Sequence, residues 1–387
     1  MAGSSIMIVA GEQSGENYGA LLARELQEGD PGVRLFGIGG DLMRDAGVNL
    51  LFHVRELAFM GFAEVIRHLP FIRKVMKRCV DALDQFKPDT VVLIDYPGFN
   101  LRFARRAKER GIRVIYYISP QVWAWGSSRV EKMKGLIDHM IVVFPFEEEL
   151  YAQAGIPATF VGHPIVETLA TGSSRADFLR THELEDRPLL ALLPGSRRQE
   201  ILRHLPVFAK AAIELKQKHG CAVAVAKASA VPRDCYDGIL KTSAGISIVE
   251  NDTHRLLEHA HAAIVASGTA TVETAFYLTP MVVAYRTNPL TYLIGKQLIN
   301  VRHIGMINIL AGKQVAPEII QYQLTADNLI RVVDPYLLDE QLYRNAIDNL
   351  RKVKSLLGKR GASAKAAGII LRTGKNETSP SLEKTPG

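Results

Sequence analysis

The chain has 387 residues and a mass of 42.7 kDa, the size of two ordinary domains. Its 47% hydrophobic and 22% charged residues exclude a wholly disordered chain, and its three scattered cysteines exclude a disulfide framework and favour a reducing, cytoplasmic setting. The net charge of +7 favours anionic partners such as phosphates, nucleic acid or acidic lipid. Apolar runs stay at strand length, so we predict neither a signal peptide nor a membrane-spanning segment.

The first half alternates short runs rich in Val and Ile with helical segments, as buried parallel strands do. The predicted strands are Ile6–Ala10, Val33–Ile38, Thr90–Ile94, Val114–Ile118, Met140–Phe144 and Ala158–Val161. The predicted helices between them include Asn17–Glu28, Leu101–Arg110 and Phe146–Ala154. This alternation predicts a doubly wound α/β domain.

The second half repeats the pattern. Its predicted strands are Leu189–Leu193, Cys221–Ala226, Ser247–Val249, Ala262–Ala266 and Met281–Tyr285, and its predicted helices are Ile201–His219, His254–His259 and Thr271–Leu278. We therefore expect two Rossmann-like domains, residues 1–170 and 171–340, which face a central cleft. Residues 341–372 are expected to form C-terminal helices, and residues 373–387 a disordered tail.

Two motifs follow strands of the first half. Gly11-Glu-Gln-Ser-Gly15 follows the first strand, where glycines let a backbone approach a ligand and the next helix offers free N–H groups. A plain turn with Ser14 as a helix cap is the alternative. Asp95 ends an apolar strand, where open α/β sheets bind ligands, and its carboxylate suits a general base. A structural aspartate is the alternative.

Both tryptophans lie in the segment Ser119-Pro-Gln-Val-Trp-Ala-Trp125. The segment follows a predicted strand, which suits a loop that faces a ligand. Buried indoles more often pack in a core, so both interpretations stay open.

Two turns of the second half have the composition of phosphate sites. Pro194-Gly-Ser-Arg197 brings backbone N–H groups and a permanent cation to a helix start. Ser267-Gly-Thr269 also joins a strand to a helix, and Glu273 in that helix has the position to accept hydrogen bonds from ribose hydroxyls. An exposed basic turn and an ordinary helix-start glutamate are the alternatives.

No cofactor or metal is expected. The sequence contains no D-x-D pair, so a nucleotide diphosphate would be neutralised by protein groups. His254, His259 and His261 lack the i, i+4 spacing of a helical zinc pair.

The segment from Leu57 to Leu83 interleaves aromatic and aliphatic residues with basic ones, as membrane-surface segments do. The apolar residues assigned to a membrane or to acyl chains are Phe59, Met60, Phe62, Phe71 and Met76. A core-facing helix with a charged outer face is the alternative.

Seven motifs in colinear order, from about Ile6 to about Ile370, resemble the lipid A disaccharide synthases. They are Gly11-Glu-Gln-Ser-Gly15, Met60-Gly-Phe-Ala-Glu-Val65, Ile94-Asp-Tyr-Pro-Gly-Phe-Asn100, Ser119-Pro-Gln-Val-Trp-Ala-Trp125, Leu193-Pro-Gly-Ser-Arg197, Ala266-Ser-Gly-Thr-Ala270 and Asn308-Ile-Leu-Ala-Gly312. The chain departs from the family's pattern after Asp95, where Tyr96-Pro97-Gly98 replaces Ala-Pro-Asp.

The resemblance implies a two-domain glycosyltransferase of the GT-B fold. Its reaction would transfer 2,3-diacylglucosamine from the UDP derivative to 2,3-diacylglucosamine 1-phosphate, form a β-1,6 disaccharide and release UDP. The setting would be the cytoplasmic face of the inner membrane in Gram-negative bacteria, with an anionic lipid surface as partner.

Resemblance and residue chemistry together give the predicted site. Asp95 is the expected general base, with Glu12 and Glu16 as weaker candidates. The predicted UDP-binding residues are Gly195, Ser196, Arg197, Ser267, Gly268, Thr269, Glu273 and Tyr285, and the predicted cleft-lining residues are Ser14, Gly15, Asn100, Trp123, Asn308 and Gly312.

Two other classes of protein stay open. A UDP-sugar epimerase, or a transferase with a water-soluble acceptor, would have no need of the exposed apolar residues near Phe59. A nucleic-acid-binding module would carry a diffuse basic stripe, whereas the arginines here concentrate in that segment and in one glycine turn, so we expect no nucleic acid partner.

Overall fold

The structure is a computed structural model, which describes residues 3–57, 69–120, 128–241, 245–288, 292 and 303–372. Its contacts divide the chain into two units. The first unit contains Met1–Pro164 and the chain from Gly358 onward, and the second contains Ile165–Leu357.

The first unit is built on a parallel sheet in the order β3-β2-β1-β4-β5-β6-β7. The strands are β1 Ser5–Ala10, β2 Arg34–Gly39, β3 Asn49–His53, β4 Thr90–Ile94, β5 Arg113–Tyr117, β6 His139–Val142 and β7 Ala158–Phe160. The helices are Gln13–Gly29, Asp41–Asp45, Val54–Leu57, Leu69–Phe86, Pro97–Lys108, Ser128–Glu131, Pro145–Gln153 and Ala362–Arg372. Every residue of β1 and β4 is buried, since helices cover both faces of the sheet.

The second unit repeats this design in the order β10-β9-β8-β11-β12-β13, again with parallel pairing. The strands are β8 Leu189–Leu193, β9 Ala222–Lys227, β10 Ser247–Glu250, β11 Ala262–Ala266, β12 Met281–Tyr285 and β13 Glu318–Ile320. The helices are Ile165–Thr168, Arg175–Thr181, Arg198–His219, Asp234–Leu240, Thr253–His259, Thr269–Phe276, Met306–Ala311, Ala326–Leu338 and Glu340–Leu356, with a 3-10 turn at Gln321–Gln323.

Strand order reverses once in each sheet, between β1 and β4 and between β8 and β11. This reversal is the mark of a doubly wound sheet, and open α/β sheets bind ligands beyond the carboxyl ends of the strands at that point. The predicted α/β class with two Rossmann-like domains is thus confirmed.

The two C-terminal helices belong to different units. Glu340–Leu356 packs on Thr269–Phe276 and Ala326–Leu338 of the second unit, whereas Ala362–Arg372 packs on Gln13–Gly29 of the first. The contacts therefore divide the chain after Pro164 and after Leu357, in place of the predicted boundaries after residues 170 and 340.

Candidate active site

The strand reversal of the first unit brings two of the predicted motifs together. Ala10, the last residue of β1, pairs with Ile94, the last residue of β4. Glu12 and Asp95 therefore follow neighbouring strands at the edge where this fold binds ligands.

The backbone at Asp95 has an unusual conformation. Asp95 and Tyr96 have φ angles of 45° and 49°, in the left-handed region that side chains other than glycine rarely adopt. Two buried side chains brace this turn, since Asn100 Nδ2 and the Tyr116 hydroxyl donate to the Asp95 carbonyl over 2.7 and 2.5 Å. Strained residues that persist under such bracing cluster at functional sites.

The Asp95 carboxyl group is perturbed in the direction that suits a base. Burial, and secondarily the Glu12 carboxylate, raise the pKa of Asp95 to about 6 against the opposing effect of the Tyr96 N–H. A carboxylate with that pKa is ionised at neutral pH and remains far more basic than a free aspartate.

The glycine motif after β1 packs closely against this turn. A Cβ added to Gly11 would lie 2.1 Å from Cδ1 of Tyr96, so a larger residue would displace the ring. Gly15 approaches the strand, since its added Cβ would lie 3.4 Å from Cγ2 of Ile94. The helix begins at Gln13, which puts Ser14 in its first turn and not at the cap position that the alternative interpretation gave it.

Glu16 and Asn100 have structural roles, because both side chains are buried and form hydrogen bonds with backbone groups. Glu16 is buried, its Oε1 accepts the Leu42 N–H over 2.9 Å, and a Cβ on Gly40 would lie 2.1 Å from that oxygen. This contact ties the first helix to the start of the helix Asp41–Asp45. Asn100 is fully buried and its amide serves the Asp95 turn, so its side chain does not line a cleft as predicted.

Much of the predicted lipid-facing segment is not described. Trp123, Phe59, Met60 and Phe62 lie outside the described residues. Phe71 and Met76 are half-buried and pack against the core of the first unit. The ring of Phe71 meets that of Phe52 edge-on at 6.4 Å, so part of this side chain packs against the protein itself.

In the second unit, the strand reversal likewise brings the two predicted phosphate turns next to each other. Leu193 of β8 pairs with Val265 of β11, and the turns that begin at Pro194 and Ser267 follow them. Gly195 and Gly268 have φ angles of 128° and 151°, which only glycine adopts readily.

Glu200, which the sequence analysis did not single out, occupies the first of these turns. Its Oε2 accepts the N–H groups of Ser196 and Arg197 over 2.9 and 3.2 Å. A Cβ added to Gly195 would lie 2.5 Å from the same oxygen. The N–H groups predicted for a diphosphate therefore hold a carboxylate of the protein, and the available signal was a glutamate three residues after the residue that precedes the helix, where such a side chain can reach back to free N–H groups.

The second turn is more open. Gly268 and Thr269 are exposed, and among the described residues no heavy atom beyond the two chain neighbours of Gly268 lies within 4 Å of the position that its Cβ would take. Ser267 is anchored by a hydrogen bond of 2.8 Å from its hydroxyl to the Ile304 carbonyl. One turn into the following helix, burial raises the pKa of Glu273 to about 7.

Tyr285 ends β12 and also reaches Glu200, since its hydroxyl lies 3.4 Å from Glu200 Oε1. Burial raises the pKa of this phenol, and the Glu200 carboxylate raises it further. The predicted UDP-binding residues therefore lie at or shortly after the carboxyl ends of β8, β11 and β12, which are consecutive in the sheet.

Asn308 and Gly312 have structural roles. Asn308 is fully buried, its Nδ2 donates to Ala316 O and to Glu318 Oε1 over 2.7 Å each, and its Oδ1 accepts two backbone N–H groups. Its amide is therefore used within the protein, which corrects its assignment as a cleft-lining side chain. Gly312, with a φ of 63°, ends the helix Met306–Ala311.

Metal ligands do not assemble in the described parts of the chain. There, no three His, Cys, Asp or Glu side chains are grouped so that they could hold an ion. His259 contacts the Ser173 hydroxyl and His261 the Tyr336 carbonyl, each over 2.9 Å. Of the described helices, none has the length and hydrophobicity to span a bilayer.

Solved structures of other proteins share this fold. A putative UDP-N-acetylglucosamine 2-epimerase from Listeria monocytogenes superposes with a TM-score of 0.68 at 14% identity, over 98% of both chains. The calicheamicin glycosyltransferase CalG4 superposes with a TM-score of 0.63 at 16% identity, over 98% of this chain and all of its own. At such identities the likeness concerns the fold alone, and it agrees with two Rossmann-like domains.

Sequence comparison is more specific. The model of the lipid-A-disaccharide synthetase family matches residues 6–370. The lipid-A-disaccharide synthase of Syntrophus aciditrophicus is 43% identical over 95% of this chain and 97% of its own length. That of Coxiella burnetii is 37% identical over 96% and 98%. The chain therefore belongs to the lipid-A-disaccharide synthase family, glycosyltransferases of lipid A biosynthesis.

Proposed function

We propose that the chain transfers 2,3-diacylglucosamine from its UDP derivative to 2,3-diacylglucosamine 1-phosphate, with inversion at the anomeric carbon. The products are the β-1,6-linked lipid A disaccharide 1-phosphate and UDP. Family membership supports this reaction, since the curated relatives carry the name lipid-A-disaccharide synthase.

The carboxyl group of Asp95 carries the mechanistic part of the proposal. It lies where β1 and β4 end, and its pKa of about 6 lets it accept a proton near neutral pH. As the primary hydroxyl oxygen of the acceptor bonds to the anomeric carbon, Asp95 takes the hydroxyl proton. The bond from that carbon to the diphosphate oxygen breaks, and UDP leaves with the electron pair.

Glu12 tunes this base. Its carboxylate raises the pKa of Asp95, and its side chain is exposed next to the same turn. Glu16 is the weaker candidate for direct chemistry, because its buried carboxylate already accepts the Leu42 N–H.

UDP binds to the second unit in this proposal. Arg197 and the turn Ser267–Thr269 meet the diphosphate and stabilise its charge as UDP departs. Glu273 accepts hydrogen bonds from the ribose hydroxyls, and Tyr285 borders the uracil ring. The support is that these residues follow adjacent strands at the binding edge of a doubly wound sheet.

A UDP-release assay tests the reaction. Purified protein and the UDP-sugar donor are combined with monoacylated, diacylated or deacylated glucosamine 1-phosphate. We expect release to require acceptor and to be fastest with the diacylated one. Donor hydrolysis or epimerisation at the same rate without acceptor would contradict the proposal.

We further propose that the enzyme works on the anionic inner face of the inner membrane. On the helix Leu69–Phe86, Arg73, Lys74, Lys77 and Arg78 are exposed, while the apolar residues between them pack inward. Each such cation near an anionic surface contributes roughly 1 kcal/mol, a contribution that salt screens.

Co-sedimentation with vesicles that contain an anionic lipid tests the membrane contact. Replacing Arg73, Lys74 and Lys77 with glutamine should release the protein at low salt. The matched control replaces Arg102, Arg105 and Arg106, which are exposed on the helix Pro97–Lys108 of the same unit. Equal sedimentation of both variants would show that the helix Leu69–Phe86 does not direct binding. Phe59→Ser and Phe62→Ser would then test apolar insertion.

A further inference from the structure

His204, in the helix Arg198–His219, lies between the turns that follow β8 and β12 of the second unit. Its side chain is fully buried. The ring stacks on Phe208 at 5.8 Å and is tilted against Tyr285 at 5.2 Å. A polar ring in such a position needs partners for both nitrogens.

Both nitrogens of His204 bind backbone groups, each from a different turn. Nδ1 lies 2.8 Å from the carbonyl of Pro194, which follows β8, and since a carbonyl can only accept, Nδ1 carries a proton. Nε2 lies 3.0 Å from the N–H of Arg286, which follows β12, and 3.1 Å from the Arg286 carbonyl. Burial lowers the pKa of the ring, which favours the neutral form in which Nε2 accepts the Arg286 N–H.

These two hydrogen bonds span the strand between their turns. In the sheet, β11 lies between β8 and β12, and its own carboxyl end leads into Ser267–Thr269. Glu200, one helical turn before His204, makes a second link between the outer turns. It joins the N–H groups of Ser196 and Arg197 to the Tyr285 hydroxyl.

We infer that His204 is a positioning residue for the UDP site, which holds the Tyr285–Arg286 turn at a fixed distance from the Pro194–Arg197 turn. The inference rests on the proposed function, because it assigns these turns to uracil and diphosphate. His204 itself is buried, so in this proposal it does not contact UDP. Its effect is therefore on the geometry of the turns, and it should change the affinity for UDP more than the chemical step.

Isothermal titration of UDP, together with thermal unfolding, tests this role. His204→Leu removes both hydrogen bonds and puts an apolar side chain in their place. We expect it to raise the Kd for UDP about tenfold, because binding would then have to restore the turn geometry at a cost similar to that of one lost hydrogen bond. His204→Asn can keep an N–H donor near Pro194 and should lie between His204→Leu and wild type. The KM for the UDP-sugar should rise more than kcat falls.

Phe208→Leu is the matched control. Phe208 is buried in the core of the second unit, one helical turn after His204. Its ring is apolar and makes no hydrogen bond to either turn. We expect it to lower the thermal midpoint while the Kd for UDP stays within about twofold of wild type. If His204→Leu and Phe208→Leu weaken UDP binding equally for an equal loss of stability, His204 is an ordinary core residue and the inference fails.

The outcomes separate this inference from the proposed function. If the wild-type protein does not bind UDP, the proposed function fails. If the wild-type protein binds UDP and both His204 variants bind it as tightly as wild type does, only the inference fails. Should His204→Leu not fold, the comparison of His204→Asn with Phe208→Leu decides by the same criterion.

Discussion

Replacing Asp95 with asparagine should make the protein more stable while it removes most of the activity. The substitution keeps the shape of the side chain and its hydrogen-bonding oxygen, but it removes the charge that folding confines to the β4 turn. A general base that is lost in this way costs on the order of 10²–10⁴-fold in turnover. The gain in stability follows because the raised pKa means that the folded state disfavours the ionised carboxyl group.

The size and pH range of this gain follow from the two pKa values. A pKa that folding raises from 3.8 to about 6 costs about 2–3 kcal/mol of unfolding free energy once the group is ionised in both states. Below pH 3.8 Asp95 is neutral in both states and this cost is absent. It grows as the pH rises towards 6 and is constant above about 7. The advantage of the variant should thus be about 1 kcal/mol at pH 4.5 and about 2–3 kcal/mol at pH 7.5.

Calorimetric unfolding of wild type and variant at both pH values, with UDP release measured on the same preparations, checks this reasoning. We expect the difference in thermal midpoint to widen by several degrees between pH 4.5 and pH 7.5. Asp45→Asn removes an exposed carboxylate from the same unit and should show no such widening. A variant of Asp95 that is less stable than wild type at pH 7.5, or that turns over normally, would refute the assignment.

Three other predictions concern the proposed site. Glu12→Gln should move the acid limb of the pH–rate profile, expected near pH 6, to lower pH, because Glu12 contributes to the raised pKa of Asp95; an unmoved limb in UDP release would contradict this. Arg197→Ala should weaken UDP binding more than Arg198→Ala in calorimetric titration, since Arg197 adjoins the glycine turn, and equal small losses would mark the turn as ordinary surface. Activity should survive dialysis against EDTA because the sequence has no D-x-D pair, and a loss that Mg²⁺ or Mn²⁺ restores would overturn this.

The central strands were predictable from the sequence, and so were the edge strands β7 and β10, but the other two edge strands were not. The predicted ranges of β4, β8, β11 and β12 agree with the structure, because strands buried on both faces are continuous apolar runs. The edge strands β3 and β13 were missed. Both are short and partly exposed, and each begins with a polar residue, Asn49 or Glu318, so its apolar run is too short to stand out.

The turns of the site were predictable for a related reason. Once a strand's end is known, the polar residues and glycines after it are candidates for binding, and this placed Asp95, Gly195 and Gly268. What the sequence could not show was which side chains those turns hold in place. His204 meets Arg286 across 82 positions of the chain, and Glu200 meets Tyr285 across 85. Such pairings depend on how the sheet folds, and no local pattern encodes them.

The position of Glu200 bears on how a diphosphate would be held. Its carboxylate already accepts the N–H groups of Ser196 and Arg197, and a second anion on the same donors would face like-charge repulsion. The turn after β11 has no such occupant among the described residues, because the space next to Gly268 is open. We therefore expect Ser267–Thr269 to provide most of the backbone contacts to the diphosphate. Arg197 would then contribute through its guanidinium group, and Glu200 would keep the Arg197 turn in the conformation that presents it.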